Sequence, residues 1–205
     1  LPAEMATAAR PRLVYLHGFR SSPQSFKARL LADRMAERGL ASRFVCPQLP
    51  ASPAAAIERV LRDIAPQAAD TLVGSSLGGY YATHLAERCG ARAVLINPTT
   101  RPCDDLQAWR GVQTNLYTGE AFEVTDAHFA ELSALAVPRI TRPERYFLLV
   151  ETGDEVLDWR LAVAHYAGAW QYVRGGGDHS FTDFVAQLPA ILRFAGVAVA
   201  PSAAW

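Results

Sequence analysis

Thr71-Leu72-Val73-Gly74-Ser75-Ser76-Leu77-Gly78-Gly79 reads as a short apolar strand that passes without a spacer into a helix. Within it, Gly74-Ser75-Ser76-Leu77-Gly78 matches G-x-S-x-G. A serine at so abrupt a strand-to-helix turn is held in a strained conformation that lifts its hydroxyl above the sheet, and small flanking residues let the chain turn. The five-residue pattern arises by chance in roughly one chain in twenty of this length. Its weight therefore comes from where it stands, between a strand and a helix.

The alternation continues on both sides. Apolar runs at Arg12 to Leu16, Ser42 to Cys46, Ala93 to Ile96, Tyr146 to Val150 and Trp170 to Val173 read as further strands. Helix-length segments separate them. Pro23 to Gly39 is expected to carry Phe26, Leu30, Leu31 and Met35 on one face. Ser52 is expected to cap a helix through Ile64, and further helices are expected over Leu77 to Arg88, Asp158 to Tyr166 and Phe181 to Phe194. Strands apolar on both faces and separated by helices predict an α/β fold, a six-stranded mostly parallel sheet with helices on both sides. Pro98 to Pro143 interrupts the rhythm with about 45 residues and no clear strand, where such connections usually take a handful. It reads as a small cap inserted into one domain of residues 1–205, with a frayed alanine-rich tail over 196–205.

Composition narrows the function classes. The chain has 205 residues, half of them apolar, and twenty basic against twenty acidic residues, so it lacks the basic excess that nucleic-acid binding normally needs. Lys27 is its only lysine and lies in an amphipathic stretch expected to be solvated, which disfavours imine chemistry. Cys46, Cys89 and Cys103 are odd in number and widely spaced, suiting neither a disulfide framework nor a zinc site. No apolar run approaches the roughly 20 residues of a spanning helix. Arg10 and Arg12 stand on the wrong side of any apolar stretch for a signal peptide, so a cytoplasmic location is expected. Nothing in the pattern sets an oligomeric state.

A serine hydroxyl needs a base within hydrogen-bond reach. Of the five histidines, His84 and His165 fall within helices, His128 in the insertion and His17 at the end of the first strand. His179 follows the last strand in Gly175-Gly176-Gly177-Asp178-His179, at the carboxyl edge where α/β sheets bind ligands. It is the expected base. The acid that orients it is expected to be Asp154, just after the fifth strand; Asp158 is the alternative but reads as a helix N-cap, Asp178 is too close in sequence, and Asp104 and Asp105 are remoter. Ser76, Asp154, His179 is the chain order of α/β hydrolases. An oxyanion requires preorganised donors, expected from the backbone N–H of Leu77 and of Phe19 in His17-Gly18-Phe19, with Arg20 next. His17 is expected to lie buried under that loop, bordering the substrate site with Arg20. In the insertion Trp109, Leu116, Tyr117, Phe122 and Phe129 are expected to line an apolar acyl pocket. No metal or cofactor is expected.

His17-Gly18-Phe19 with Ser21-Ser22-Pro23, Gly74-Ser75-Ser76-Leu77-Gly78-Gly79, Asn97-Pro98 with Arg101-Pro102, Tyr117-Thr118-Gly119, Thr152-Gly153-Asp154-Glu155-Val156-Leu157-Asp158 and Gly177-Asp178-His179-Ser180-Phe181 together resemble the small bacterial YqiA-like esterases. The resemblance runs from about Arg12 to Phe194. It implies a compact α/β-hydrolase that lacks the first strands of larger members. It also implies hydrolysis of carboxylic esters, extending to acyl thioesters such as acyl-coenzyme A. The same triad can serve a thioesterase or an acyltransferase, and the scaffold a binding module without catalysis.

Overall fold

The computed structural model describes residues 11–197. Its centre is a sheet of six parallel strands: β1 (Leu13–Leu16), β2 (Phe44–Val45), β3 (Thr71–Ser75), β4 (Arg92–Ile96), β7 (Tyr146–Glu151) and β8 (Trp170–Arg174). They lie in the order β2-β1-β3-β4-β7-β8. The other two strands, β5 (Gly111–Thr114) and β6 (Ala121–Val124), form a separate antiparallel pair. Among the described residues seven α-helices accompany them: α1 (Phe26–Glu37), α2 (Pro53–Arg59), α3 (Leu77–Cys89), α4 (Pro102–Asp105), α5 (Asp126–Ala134), α6 (Trp159–His165) and α7 (Phe184–Phe194).

The period-two alternation of a strand explains the two-sided core. Val14, Leu16, Leu72, Leu95, Leu148 and Val150 point to one face, against Ile57 of α2, Tyr81 and Leu85 of α3, and Ala162 of α6. Their neighbours Leu13, Tyr15, Val73, Val94, Ile96 and Leu149 point to the other, against Leu31 and Met35 of α1 and Leu188, Ile191 and Leu192 of α7. Each large apolar side chain so buried contributes about 1.5–3 kcal/mol. The α/β fold, its parallel sheet and its helices on both faces agree with the sequence reading.

Several elements differ from it. Of the face expected on α1, Leu31 and Met35 are buried and Leu30 packs partly buried beside them, but Phe26, at the first position of the helix, is 63% exposed and Ala28 is buried in addition. The second strand shrinks to two residues behind a 3₁₀ turn over Ala41–Arg43, since it pairs only on its β1 side. The helix after Ser52 leaves the α pattern at Arg59 and continues as a π turn over Val60–Ile64. The last helix starts at Phe184 rather than Phe181, because Phe181 holds a left-handed φ of 61° that no helix accommodates. The insertion does contain strands, the β5–β6 hairpin. Of the tail, Val197 is buried and donates its N–H to Leu192 O, so fraying does not begin at 196; positions 198–205 lie outside the described residues. Lys27 is not a solvated lysine: its Nζ donates to Ser180 O at 2.6 Å. The three cysteines are free and half-buried, and no described helix is long and apolar enough to cross a membrane.

Candidate active site

Ser76 occupies the residue between β3 and α3 and adopts φ 54°, ψ −120°, a region that side chains other than glycine's enter only under constraint. The constraint is close approach of backbones. A Cβ on Gly74 would lie 2.2 Å from Gly78 O, and one on Gly78 would lie 1.9 Å from Leu16 O, so α3 starts pressed against both β3 and β1. Ser76 N donates to Ile96 O, which ties the turn to β4. The hydroxyl is thereby left at the carboxyl edge of the sheet.

The loops after β7 and β8 meet it there. His179 Nε2 stands 3.1 Å from Ser76 Oγ, and His179 Nδ1 stands 2.8 Å and 3.0 Å from the two carboxylate oxygens of Asp154. The Asp154 side chain is 2% exposed and its Oδ1 also accepts the N–H of Val156 and of Leu157, each at 2.9 Å. A carboxylate only accepts, so the imidazole proton sits on Nδ1 and the Nε2 lone pair faces the serine. Three residues distant in sequence are thus linked in one hydrogen-bonded line. The other acids are occupied elsewhere. Asp158 caps α6 through Arg160 N, Asp178 accepts from Ser180 N, and Asp105 accepts from Thr99 Oγ1. Asp104 pairs loosely with Arg101.

The histidine loop has a support that the sequence reading missed. Glu151, 0% exposed at the end of β7, accepts the N–H of Asp178, Thr182 and Asp183, the Thr182 hydroxyl and an Arg174 N–H. Burial alone would raise its pKa, but these donors hold the carboxyl below its ordinary value. Asn97, after β4 with φ 38°, donates Nδ2 to the carbonyls of Asp178 and His179 and accepts Glu151 N. Position is the sequence signal for both, each standing at the carboxyl end of a central strand, and Asn97 also falls in the Asn97-Pro98 motif of the family resemblance, though with no role assigned.

A cavity of about 170 Å³ holds Ser76 and His179 and is bordered by Phe19, Leu77, Trp109 and Leu157. Among the described residues, the backbone N–H groups of Phe19 and Leu77 have no acceptor. The Leu77 group is one of the donors that a helix N-terminus leaves free. Asp105 also borders the cavity, and burial raises its pKa.

The remaining expected residues divide. Trp109 and Leu116 border this cavity, as does Arg20, whose guanidinium lies 5.1 Å from the Trp109 ring centroid. Phe122 borders a neighbouring cavity instead. Phe129 is buried beneath Arg110 and faces neither cavity, while Tyr117 is half exposed on the hairpin turn. Neither is on a β5–β6 strand: Phe129 belongs to α5, and Tyr117 to the loop that joins the two strands. His17 is buried as expected, with Nε2 accepting from Leu49 N at 3.0 Å and Nδ1 3.0 Å from Gly18 O. Burial lowers its pKa. His84 and His128 hydrogen-bond Leu135 O and Thr125 N, and His165 packs edge-on to Tyr166. No cluster suited to a metal ion occurs among the described residues.

Comparison with known proteins gives a family and a fold. The model of an uncharacterised protein family, UPF0227, matches residues 12–196. A protein from Agrobacterium vitis S4, provisionally assigned as a hydrolase, superposes with TM-score 0.70 at 22% identity over 91% of this chain and 88% of its own. Mouse alpha/beta hydrolase domain-containing protein 10 superposes with TM-score 0.66 at 19% identity, covering 91% and 90%. A structure reported for LipS and LipT, two metagenome-derived lipolytic enzymes, gives 0.66 at 18% identity, covering 92% and 94%. These likenesses establish the α/β-hydrolase fold.

Proposed function

The chain belongs to the protein family UPF0227, the YqiA family, and from that premise we propose that it is a serine hydrolase of carboxylic esters, acyl thioesters included. The observation that carries the reading is the line Ser76 Oγ to His179 Nε2 at 3.1 Å and His179 Nδ1 to Asp154 at 2.8 Å, with the serine on a strained turn. A positive φ at a non-glycine residue costs about 1–3 kcal/mol and persists where it has a use. At Ser76 it accompanies a hydroxyl aligned on His179 Nε2, the arrangement that nucleophilic catalysis uses. The lipolytic description of one structural neighbour supports the same reading.

In this mechanism Ser76 Oγ attacks the acyl carbon while its proton passes to His179 Nε2. Asp154 keeps the ring oriented and stabilises the imidazolium. The carbonyl oxygen becomes an oxyanion held by the N–H of Phe19 and of Leu77, donors worth about 3–4 kcal/mol each when removed. Collapse breaks the bond to the leaving alkoxide or thiolate, which takes the proton from His179. Water then attacks the acyl-serine with His179 again as base, releasing the acid and restoring the hydroxyl. Trp109, Leu116 and Leu157 give the substrate apolar contacts beside the serine.

Two measurements test it. Wild type should be labelled by a fluorophosphonate and should turn over p-nitrophenyl esters, and Ser76→Ala should do neither. A Ser76→Ala protein that retains turnover sinks the assignment. A panel of esters and thioesters of graded acyl length then gives the preferred leaving group.

A further inference from the structure

A second cavity, about 280 Å³, adjoins the first and shares Phe19, Arg20 and Leu77 with it. Beyond that common edge it is bordered by His17, Gln48, Arg59, Asn115, Glu120 and Phe122. Two partly buried arginines, Arg20 and Arg59, therefore border one space. Arg59 is fixed by donating Nη1 to Gln48 O at 2.9 Å, and Arg20 by donating Nε to Thr114 O at 2.9 Å and lying over Trp109. A guanidinium has five N–H donors, and among the described residues neither has a second acceptor or a carboxylate within ion-pair distance. His17 adds no competing charge, since both of its ring nitrogens are engaged by the backbone. Glu120 is the one carboxylate on this border, and it lies on the exposed hairpin.

The direction of approach says which part of a substrate would enter. The leaving group must stand near His179 to receive its proton. His179 borders the first cavity and not the second, whereas the expected oxyanion donors Phe19 and Leu77 border both. What passes over the Phe19–Leu77 edge, away from His179, is the acyl chain.

We propose that the second cavity receives a carboxylate at the far end of the acyl chain, so that half-esters of dicarboxylic acids are preferred over neutral esters of equal length. This rests on the ester-hydrolase reading above. Carboxylates suit guanidinium forks because two parallel charge-assisted hydrogen bonds form at once. The Glu120 charge on the rim opposes the same anion.

The test compares monoethyl glutarate with ethyl pentanoate by kcat/KM at low ionic strength, in wild type, Arg59→Gln, Arg59→Lys and Glu120→Gln. Wild type should favour the half-ester, and Arg59→Gln should lower that preference about tenfold, the loss expected for one hydrogen bond to a charged group. Arg59→Lys should restore part of it and Glu120→Gln should raise it. An equal effect of Arg59→Gln on both esters would mean that the arginine only supports the Gln48 loop, and would overturn the proposal. Calorimetric binding of monoethyl glutarate to Ser76→Ala, with and without Arg59→Gln, separates the two readings. Arg59-dependent binding without turnover by wild type would keep the subsite and overturn ester hydrolysis; turnover without Arg59-dependent preference would do the reverse.

Discussion

Asp154 Oδ1 accepts two backbone N–H groups as well as facing His179 Nδ1, so replacing it by Asn puts an amide NH₂ or a weaker acceptor where three donors converge. The histidine then loses its preferred tautomer and its charge stabilisation. Asp154→Asn is expected to lower kcat on a p-nitrophenyl ester by about four orders of magnitude while leaving the fold intact. Asp158 only caps α6 through Arg160 N, so Asp158→Asn, a substitution of one good cap for another, should leave kcat within about twofold. A reversal of that order would move the acid to Asp158. Glu151 acts one step further out. Its two oxygens gather five donors from the histidine loop and Arg174, and Glu151→Gln turns one accepting oxygen into a donor facing donors. The cost should be about 2 kcal/mol in stability by chemical denaturation, with kcat falling more than KM rises, because His179 is displaced and the cavity wall is not. Gly177→Ala should damage the same contact, since a Cβ there would lie 1.8 Å from Glu151 Oε2 on a residue with φ 73°.

The β5–β6 hairpin is fastened to the loop that carries Phe19. Asn115 Nδ2 donates to Ser21 O at 2.8 Å, Leu116 N to Arg20 O at 2.9 Å, and Arg20 Nε to Thr114 O at 2.9 Å. Phe19 is itself held edge-on between Trp109 and Phe122 of the insertion. Asn115→Ala removes the side-chain tie and also the acceptor for Tyr117 N and Thr118 N that shapes the hairpin turn. With the Phe19 N–H less well preorganised, kcat should fall about tenfold at nearly unchanged Tm; a loss confined to KM would show that the hairpin shapes the acyl pocket and not the oxyanion site. This element was also the least legible. β1, β3, β4 and β7 read directly because both faces are buried and their sequences are almost wholly apolar. The hairpin strands have four residues each, interleave Gln113 and Glu123 with apolar positions, and leave Val112 exposed. Only the turn residues Asn115 and Gly119, the latter at φ 71°, signalled it. Ser76, Asp154 and His179 were legible because each directly follows a strand or its turn at one sheet edge. Asn97 and Glu151 follow the same rule, but their work depends on three loops meeting, and no local pattern announces that.

Buried carboxylates at opposite ends of the sheet give the molecule its expected response to acid. Asp70 stands before β3, at the amino edge, and accepts Arg12 N at 2.8 Å, Arg12 Nη2 at 2.7 Å and Gln67 N at 2.9 Å. Burial works against its charge, but these donors prevail and hold its pKa below the ordinary value. Glu151, at the carboxyl edge, is held low by the same means. A carboxyl whose folded pKa is depressed binds a proton more readily in the unfolded chain. Its stabilisation is therefore complete above the ordinary carboxyl range near pH 4 and is lost as pH falls through the depressed folded value. The Tm of wild type should be flat from about pH 7 to 5 and fall steeply below about pH 4. Asp70→Asn keeps the side-chain shape but loses the charge-assisted bonds, so it should cost about 2 kcal/mol at neutral pH, or about 4–8 °C in Tm. Because that contribution is then already gone, the mutant should lose less further stability in acid than wild type, and the two Tm curves should converge as pH falls. Parallel curves down to pH 3 would place the acid sensitivity elsewhere. Since Asp70 lies at the sheet edge remote from Ser76, its substitution should leave kcat/KM at neutral pH unchanged, whereas Glu151→Gln, beside the histidine loop, should lower stability and kcat together.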